Sequence, residues 1–350
     1  MPVSLKDVAQ RAGVSIKTVS NVVNNHPHVA PAMRARVQAA IDELGYRPNP
    51  TARHLRKGRT GIIALAVPEL GNPYFAELAG AVIDAAAEHE YTVLLDRTGG
   101  RRDKEVLVSQ GFRTRVIDGL VLSPIELEAA DLQGRSDDVP LVLLGEREYD
   151  APHDHIAIDN VAAAREAVRH LLGRGRTRIA YLGAGTDSAN RPAHLRLLGW
   201  RQELTAAGVP APDSLVVPVG GWDRADGARG MARLLDSGLR PDAVFAFNDL
   251  IAIGAMRTLH ERGLRVPQDV AVVGFDDIAE GRFGAVSLTT VSPDKQAIAR
   301  MAVASLLRSL SGNGEPAGRE LTAPHRLVER ESTLGRRQGP SGGSGRLHGA

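Results

Sequence analysis

From Gly61 onward, short apolar runs alternate with helical stretches, and this alternation constrains the fold more than any single motif. Gly61-Ile-Ile-Ala-Leu-Ala-Val67 is too short for a buried helix and reads as a parallel strand covered on both faces. The pattern predicts helix 75–88, then strands 91–96, 119–122 and 141–144. Helix 161–173, strand 179–182 and helix 195–207 follow. Helix 224–237, strand 243–247, helix 250–262 and strand 270–274 complete the series. Such a series implies α/β architecture with open, doubly wound parallel sheets. About 275 residues is long for one such unit, so two lobes are expected. Ligand would bind where the carboxyl ends of their strands face one another.

The first 59 residues follow a different rule. Leu5–Asn24 reads as two short helices with a tight turn at Gly13-Val14-Ser15. Gly13 can take the left-handed conformation that ends the first helix, and the Ser15 hydroxyl can cap the second. Val8 and Ala9 would face Val19, Val22 and Val23. This is a helix-turn-helix pattern, whose second helix enters a major groove. A third helix runs to Leu44, with Pro31 in its first turn and Gly45 at its stop. Ala30 stands where a capping hydroxyl would be worth about 1 kcal/mol. Pro48 and Pro50 break any continuation, and a short polar helix from Asn49 or Thr51 to about Lys57 would order only against a partner.

Charge supports this division. Residues 1–59 carry ten Lys+Arg against three Asp+Glu, a balance of +7, while the remainder carries 33 against 38, a balance of −5. A basic head on an acidic body suits contact with phosphate. The chain has no cysteine, which excludes disulfides, thiol nucleophiles and cysteine metal sites. No signal peptide or bilayer-length apolar run is evident, so a cytoplasmic location is expected. No metal or cofactor is expected. Gly183-Ala-Gly185 lacks the spacing of a dinucleotide loop, and His153-Asp154-His155 lies in an expected Pro-containing loop with no third ligand evident. A catalytic role is not expected, and the head argues against a transport-type binding protein.

Further runs carry a resemblance. They are Leu44-Gly-Tyr-Arg-Pro-Asn49, Ala52-Arg-His-Leu55, Asn72-Pro-Tyr-Phe75 and Arg196-Leu-Leu-Gly-Trp200. Phe247-Asn-Asp249, Val266-Pro-Gln-Asp269, Val273-Gly-Phe-Asp276 and Leu288-Thr-Thr-Val291 continue the set. With Leu5–Asn24, their order and spacing resemble the lactose-repressor/galactose-repressor (LacI/GalR) family of bacterial transcription regulators over nearly the full chain. The resemblance implies a helix-turn-helix domain (1–46), a hinge helix and linker (47–59) and a two-lobed effector and dimerisation domain (60–334) like periplasmic sugar-binding proteins. A disordered tail (335–350), rich in Gly, Ser, Arg and Pro, is expected from composition. A homodimer would read a pseudo-palindromic double-stranded operator.

The resemblance also implies site residues. Ile16, Lys17 and Asn21 match positions that touch base edges. Lys17 would reach guanine or only phosphate, and Asn21 adenine or phosphate. Ser15, Thr18 and Asn24 read as phosphate contacts and caps. Leu55 matches a minor-groove wedge, and Ala52 is small enough for two hinge helices to pack together. In the body, Arg196, Asn248 and Asp276 suit a polyhydroxylated effector, with Trp222 and Tyr74 or Phe75 as stacking faces and Glu146 as a further contact. Pro293 replaces a glutamine that touches ligand in some relatives. A sugar-induced repressor is the expectation. A regulator using a nucleoside or other metabolite as co-repressor, or an activator, is the alternative.

Overall fold

The computed structural model describes residues 3–23, 26–47, 58–111, 116–135, 139–146, 149, 151–184, 191–312 and 318–335. They fall into two compact units, one ending at Gly61 and one beginning at Ile62. The hinge positions Ala52 and Leu55, the recognition-helix position Asn24, and the tail beyond Gly335 lie outside the described residues.

In the head, α1 (Leu5–Ala12), α2 (Ile16–Val23) and α3 (Pro31–Leu44) enclose a small core of Val8, Ala9, Ala12, Val19, Val22, Val37 and Ala40. Ser4 and Asp7 form a reciprocal capping box on α1. Gly13 has φ 62°, and its N–H closes onto Ala9 and Gln10 carbonyls, ending α1. The Ser15 hydroxyl accepts from the Thr18 amide at 3.1 Å and so starts α2. Ala30 offers α3 no side-chain cap, and Pro31 takes a first-turn position. Arg11 reaches across to Glu43 and ties α1 to α3, an exposed pair worth little by itself.

The body contains two six-stranded sheets. The first has the order β11 (Glu320–Ala323), β5 (Asp154–Ile158), β4 (Leu141–Leu144), β3 (Gly119–Leu122), β1 (Ile62–Val67), β2 (Thr92–Arg97). The second has the order β12 (His325–Val328), β10 (Thr289–Pro293), β9 (Ala271–Phe275), β8 (Ala243–Ala246), β6 (Ile179–Ala184), β7 (Val216–Val219). Strands β3, β4, β8 and β9 are buried throughout, as their unbroken apolar sequences require. The chain passes between lobes at Asp159, Asp294 and Pro324, which lie between β5 and the next helix, β10 and the next helix, and β11 and β12. Asp159 and Asp294 each cap the helix they lead into, accepting from Ala162 and Ala297 amides at 2.8 Å. The Asp294 amide donates to the Pro324 carbonyl at 2.9 Å, which joins two of the crossings.

Two expectations need correction. The sheets are not wholly parallel, because β12 runs antiparallel to β10. The crossing from β11 to β12 is only one residue long and leaves no room to turn, so β12 starts opposite Pro293 and runs away from the crossing that β10 runs toward. Residues 154 and 155 are also not in a loop. They belong to β5, paired with both β4 and β11. Helix Lys295–Ser311 packs on helix Pro73–Ala87 and completes the first lobe, although it follows the second in sequence.

Candidate functional site

Parallel strands send the residues that follow them to one end of each sheet. The interlobe cavity is built from these strand ends. Asn72, Tyr74 and Phe75 follow β1, Ser123 follows β3 and Glu146 follows β4. Arg196 follows β6, Trp222 follows β7, Asn248 follows β8 and Asp276 follows β9. All seven residues expected to meet an effector line this one cavity of about 110 Å³.

Arg196 is buried, and each of its contacts fixes its direction. Its Nε donates to Asn160 Oδ1 at 2.7 Å and its Nη1 to the Phe247 carbonyl at 2.5 Å. Its Cζ lies 3.4 Å from the Phe275 ring centroid and 4.8 Å from that of Phe247. A guanidinium held between two rings retains electrostatic stabilisation that burial would otherwise remove. Among the described residues, Nη2 makes no hydrogen bond.

Asp276 is the complementary group. It is buried, with φ 110°, and among the described residues its carboxylate accepts no hydrogen bond. Burial raises its pKa to about 7, against the attraction of Arg196 and Lys295 and with the repulsion of Glu146 and Glu77. The adjacent Asp277 behaves oppositely. Burial disfavours its charge, but Arg330 at 2.5 Å and Ser292 at 3.0 Å hold its carboxyl below the usual range. Asn248 caps helix Asp249–Glu261, accepting from the Ile251 amide at 2.8 Å, and its Nδ2 donates to the Trp222 carbonyl at 3.0 Å. One side chain thus positions both a helix and an aromatic wall.

Sequence reasoning missed several residues of this region. Ser123 is buried on the cavity wall, and only its place at a strand end could have marked it. Asn160 orients Arg196 from 36 positions away. Asp249, fully buried, accepts from the Ile278 amide at 2.9 Å and the Thr290 hydroxyl at 2.6 Å, and so anchors the loop after Asp276. Burial, aided by the charge of Asp276, pushes the Asp249 carboxyl well above the usual range. A Cβ at Gly274 would stand 2.1 Å from Asp249 Oδ1, so glycine is needed there. The His153-Asp154-His155 run has other partners: Asp154 accepts from Arg319 and Arg308, and the His155 ring faces the Glu320 carboxylate and the Gly145 carbonyl. Among the described residues no group of three or more His, Cys, Asp or Glu side chains could hold a metal ion.

On the head, Ile16 and Lys17 are exposed at the amino end of α2, while Asn21 and Thr18 are half-buried. Ser15 is exposed, with its hydroxyl 2.9 Å from that of Thr18.

The model of bacterial regulatory proteins of the lacI family matches residues 4–49, and that of the periplasmic binding protein-like domain matches residues 168–333. The ribose operon repressor of Escherichia coli (strain K12) is 34% identical over 310 residues, covering 88% of this chain and 93% of the relative. The chain belongs to the LacI family. Among solved structures, the lac repressor dimer bound to operator and the anti-inducer ONPF aligns with TM-score 0.75 at 29% identity, covering 95% of this chain and 99% of that one. The transcriptional regulator CelR in complex with cellobiose aligns with TM-score 0.68 at 32% identity, covering 94% and 99%. A LacI-family member with this head and this periplasmic-binding-protein-like body is a DNA-binding regulator of transcription and not an enzyme. Among the described residues no helix is long and apolar enough to cross a membrane.

Proposed function

We propose that the chain is a dimeric repressor whose operator affinity falls when a sugar or sugar derivative occupies the interlobe cavity. The observation that carries this reading is the buried Asp276 carboxylate, without a protein donor among the described residues, facing the same cavity as Arg196 and Asn248. A polyhydroxylated ligand supplies donors to the one and acceptors to the others, and Trp222, Tyr74 and Phe75 offer apolar faces to a sugar ring. Glu146 adds a further acceptor at the rim. The relatives' names, a ribose operon repressor and a cellobiose complex, favour the same class.

Residues 1–46 act as the DNA-binding domain, 47–59 as hinge and linker, 60–334 as the effector and dimerisation domain and 335–350 as a tail. Ile16, Lys17 and Asn21 read base edges, and Ser15, Thr18 and Asn24 fix the register. Leu55 and Ala52 act at the operator centre. A second copy of the chain covers the apolar groove around Phe283. That ring is 85% exposed, beside Ile253, Met256, Leu264 and Val286. The lac repressor neighbour is itself described as a dimer.

A thermal-shift screen of pentoses, hexoses, disaccharides and nucleosides tests the effector class, since a ligand of the native state raises its melting point. A sugar that stabilises the parent protein, with the shift abolished in Arg196→Ala, is the expected result. A nucleoside hit that tightens operator binding would replace induction with co-repression. For the head, selection from a random duplex library should yield an inverted repeat. Lys17→Ala should relax preference at one base pair per half-site, by about 1–3 kcal/mol. Uniform weakening across sequences would instead assign Lys17 to phosphate.

A further inference from the structure

Lys295 does not line the cavity, yet it holds the backbone of the residue whose carboxylate faces it. Its side chain is only 11% exposed. A buried ammonium needs an acceptor for each of its three N–H groups. Here Nζ donates to the Asp276 carbonyl at 2.5 Å and the Asp277 carbonyl at 3.1 Å, and forms an ion pair with the Glu77 carboxylate at 2.9 Å. It also lies 5.7 Å from the centroid of the Tyr74 ring, within cation–π range.

These partners come from both lobes. Lys295 begins helix Lys295–Ser311, and Glu77 lies on helix Pro73–Ala87, both in the first lobe. Asp276 and Asp277 follow β9 of the second. Glu77 also spans the lobes directly, because its Oε1 accepts from the Ala279 amide at 3.0 Å. Both aspartates have positive φ, 110° and 47°, a region that non-glycine residues enter only under constraint. Lys295 donates to both of their carbonyl oxygens, so it stabilises the backbone turn that directs the Asp276 carboxylate into the cavity.

We propose that Lys295 and Glu77 are positioning residues that clasp the two lobes together and set how far the cleft is closed before an effector arrives. The inference rests on the reading of the cavity as the effector site. It adds that closure depends on contacts outside the cavity wall. An effector then binds a cleft whose closed population is fixed in advance by this clasp, and weakening the clasp lowers apparent affinity by lowering that population.

The natural chain has no cysteine, so two introduced thiols can be labelled uniquely. The exposed Ala130, in the first lobe, and Ala225, in the second, are suitable positions. Spin labels at Ala130→Cys and Ala225→Cys, in full-length chain diluted with unlabelled protein, report lobe separation without operator or effector. The parent is expected to give one dominant short distance. Lys295→Met and Glu77→Gln should each enlarge a longer-distance population about tenfold, and Lys295→Arg, which keeps the cation, should restore the short distance. Parent-like distances in both Lys295→Met and Glu77→Gln, with unchanged circular dichroism, would overturn the proposal. If Lys295→Met does not fold, the isosteric Glu77→Gln decides alone. Because no effector is used, failure here is distinct from failure of the effector reading, which the Arg196→Ala thermal shift tests separately.

Discussion

The guanidinium carbon of Arg196 lies 3.4 Å from the centre of the Phe275 ring, so the cavity's principal cation is fixed by the strand that delivers its principal anion. Phe275 ends β9 and Asp276 follows it directly. The two charged groups of the cavity are therefore coupled through one rigid strand end.

Arg196→Lys should show this coupling. A lysine has no Nε and Nη1 donors at the fixed spacing that reaches Asn160 and the Phe247 carbonyl, and it cannot stack as a planar group. One buried acceptor is left unsatisfied, costing about 2 kcal/mol. The expected loss of melting temperature is roughly 4–8 °C, and effector affinity should fall by roughly 10–100-fold. Calorimetry of the variant checks both. A parent-like melting curve would mean that the Arg196 bonds carry no net stability.

Asp276 should make the protein pH-sensitive. Its folded pKa of about 7 lies above the unfolded value of about 3.9. The folded state therefore holds the extra proton between those values, and stability falls as pH rises from about 4 to about 7. The loss is at most about 4 kcal/mol. Effector affinity should move the other way if the carboxylate accepts ligand hydroxyls, rising up to about tenfold from pH 6 to pH 8. Asp276→Asn should flatten both trends. Denaturant melts and binding isotherms across this range provide the measurement, and an affinity independent of pH in the parent would remove the carboxylate from the binding step.

Much of this site was legible because it follows the strands. Asn248 and Asp276 follow apolar runs read as parallel strands, and the family resemblance joined Arg196 to them on one cavity. The clasp was not legible. Glu77 and Ala279 are 202 positions apart, and nothing local to either marks the other as a partner. The reversed β12 was missed because its alternation is short and polar, His325-Arg-Leu-Val328, and pairs with a strand far earlier in the chain. β5 was missed because Asp154 and His155 look like loop residues. Their burial becomes tolerable only through Arg308, Arg319 and Glu320, which come from distant elements.

Asn248→Ala should separate capping from ligand contact. It removes the bond to the Ile251 amide, which starts helix Asp249–Glu261, and the bond to the Trp222 carbonyl. A loss of about 1–2 kcal/mol is expected in the absence of effector. Hydrogen exchange should quicken at the first turn of that helix. Unchanged protection there would show that the cap is dispensable.

Ala30→Ser should be a stabilising change. Ala30 already has φ −54° and ψ 139° but no side-chain acceptor for the first turn of α3. A serine hydroxyl should add about 1 kcal/mol. Slower amide exchange in α3 of the full-length protein, with the body unaffected, is the expected signature. Faster exchange would show that the local backbone cannot seat the cap.

The most direct test of the whole account is operator binding by the full-length protein, titrated with and without a saturating sugar from the thermal-shift screen. The parent protein should lose operator affinity by roughly 5–150-fold when the sugar is present. Folded Arg196→Ala should bind the operator within about twofold of the parent and show no response to the sugar. An operator affinity that rises with the sugar, or a response that survives undiminished in Arg196→Ala, would contradict the claim that this cavity is the input of a repressor switch.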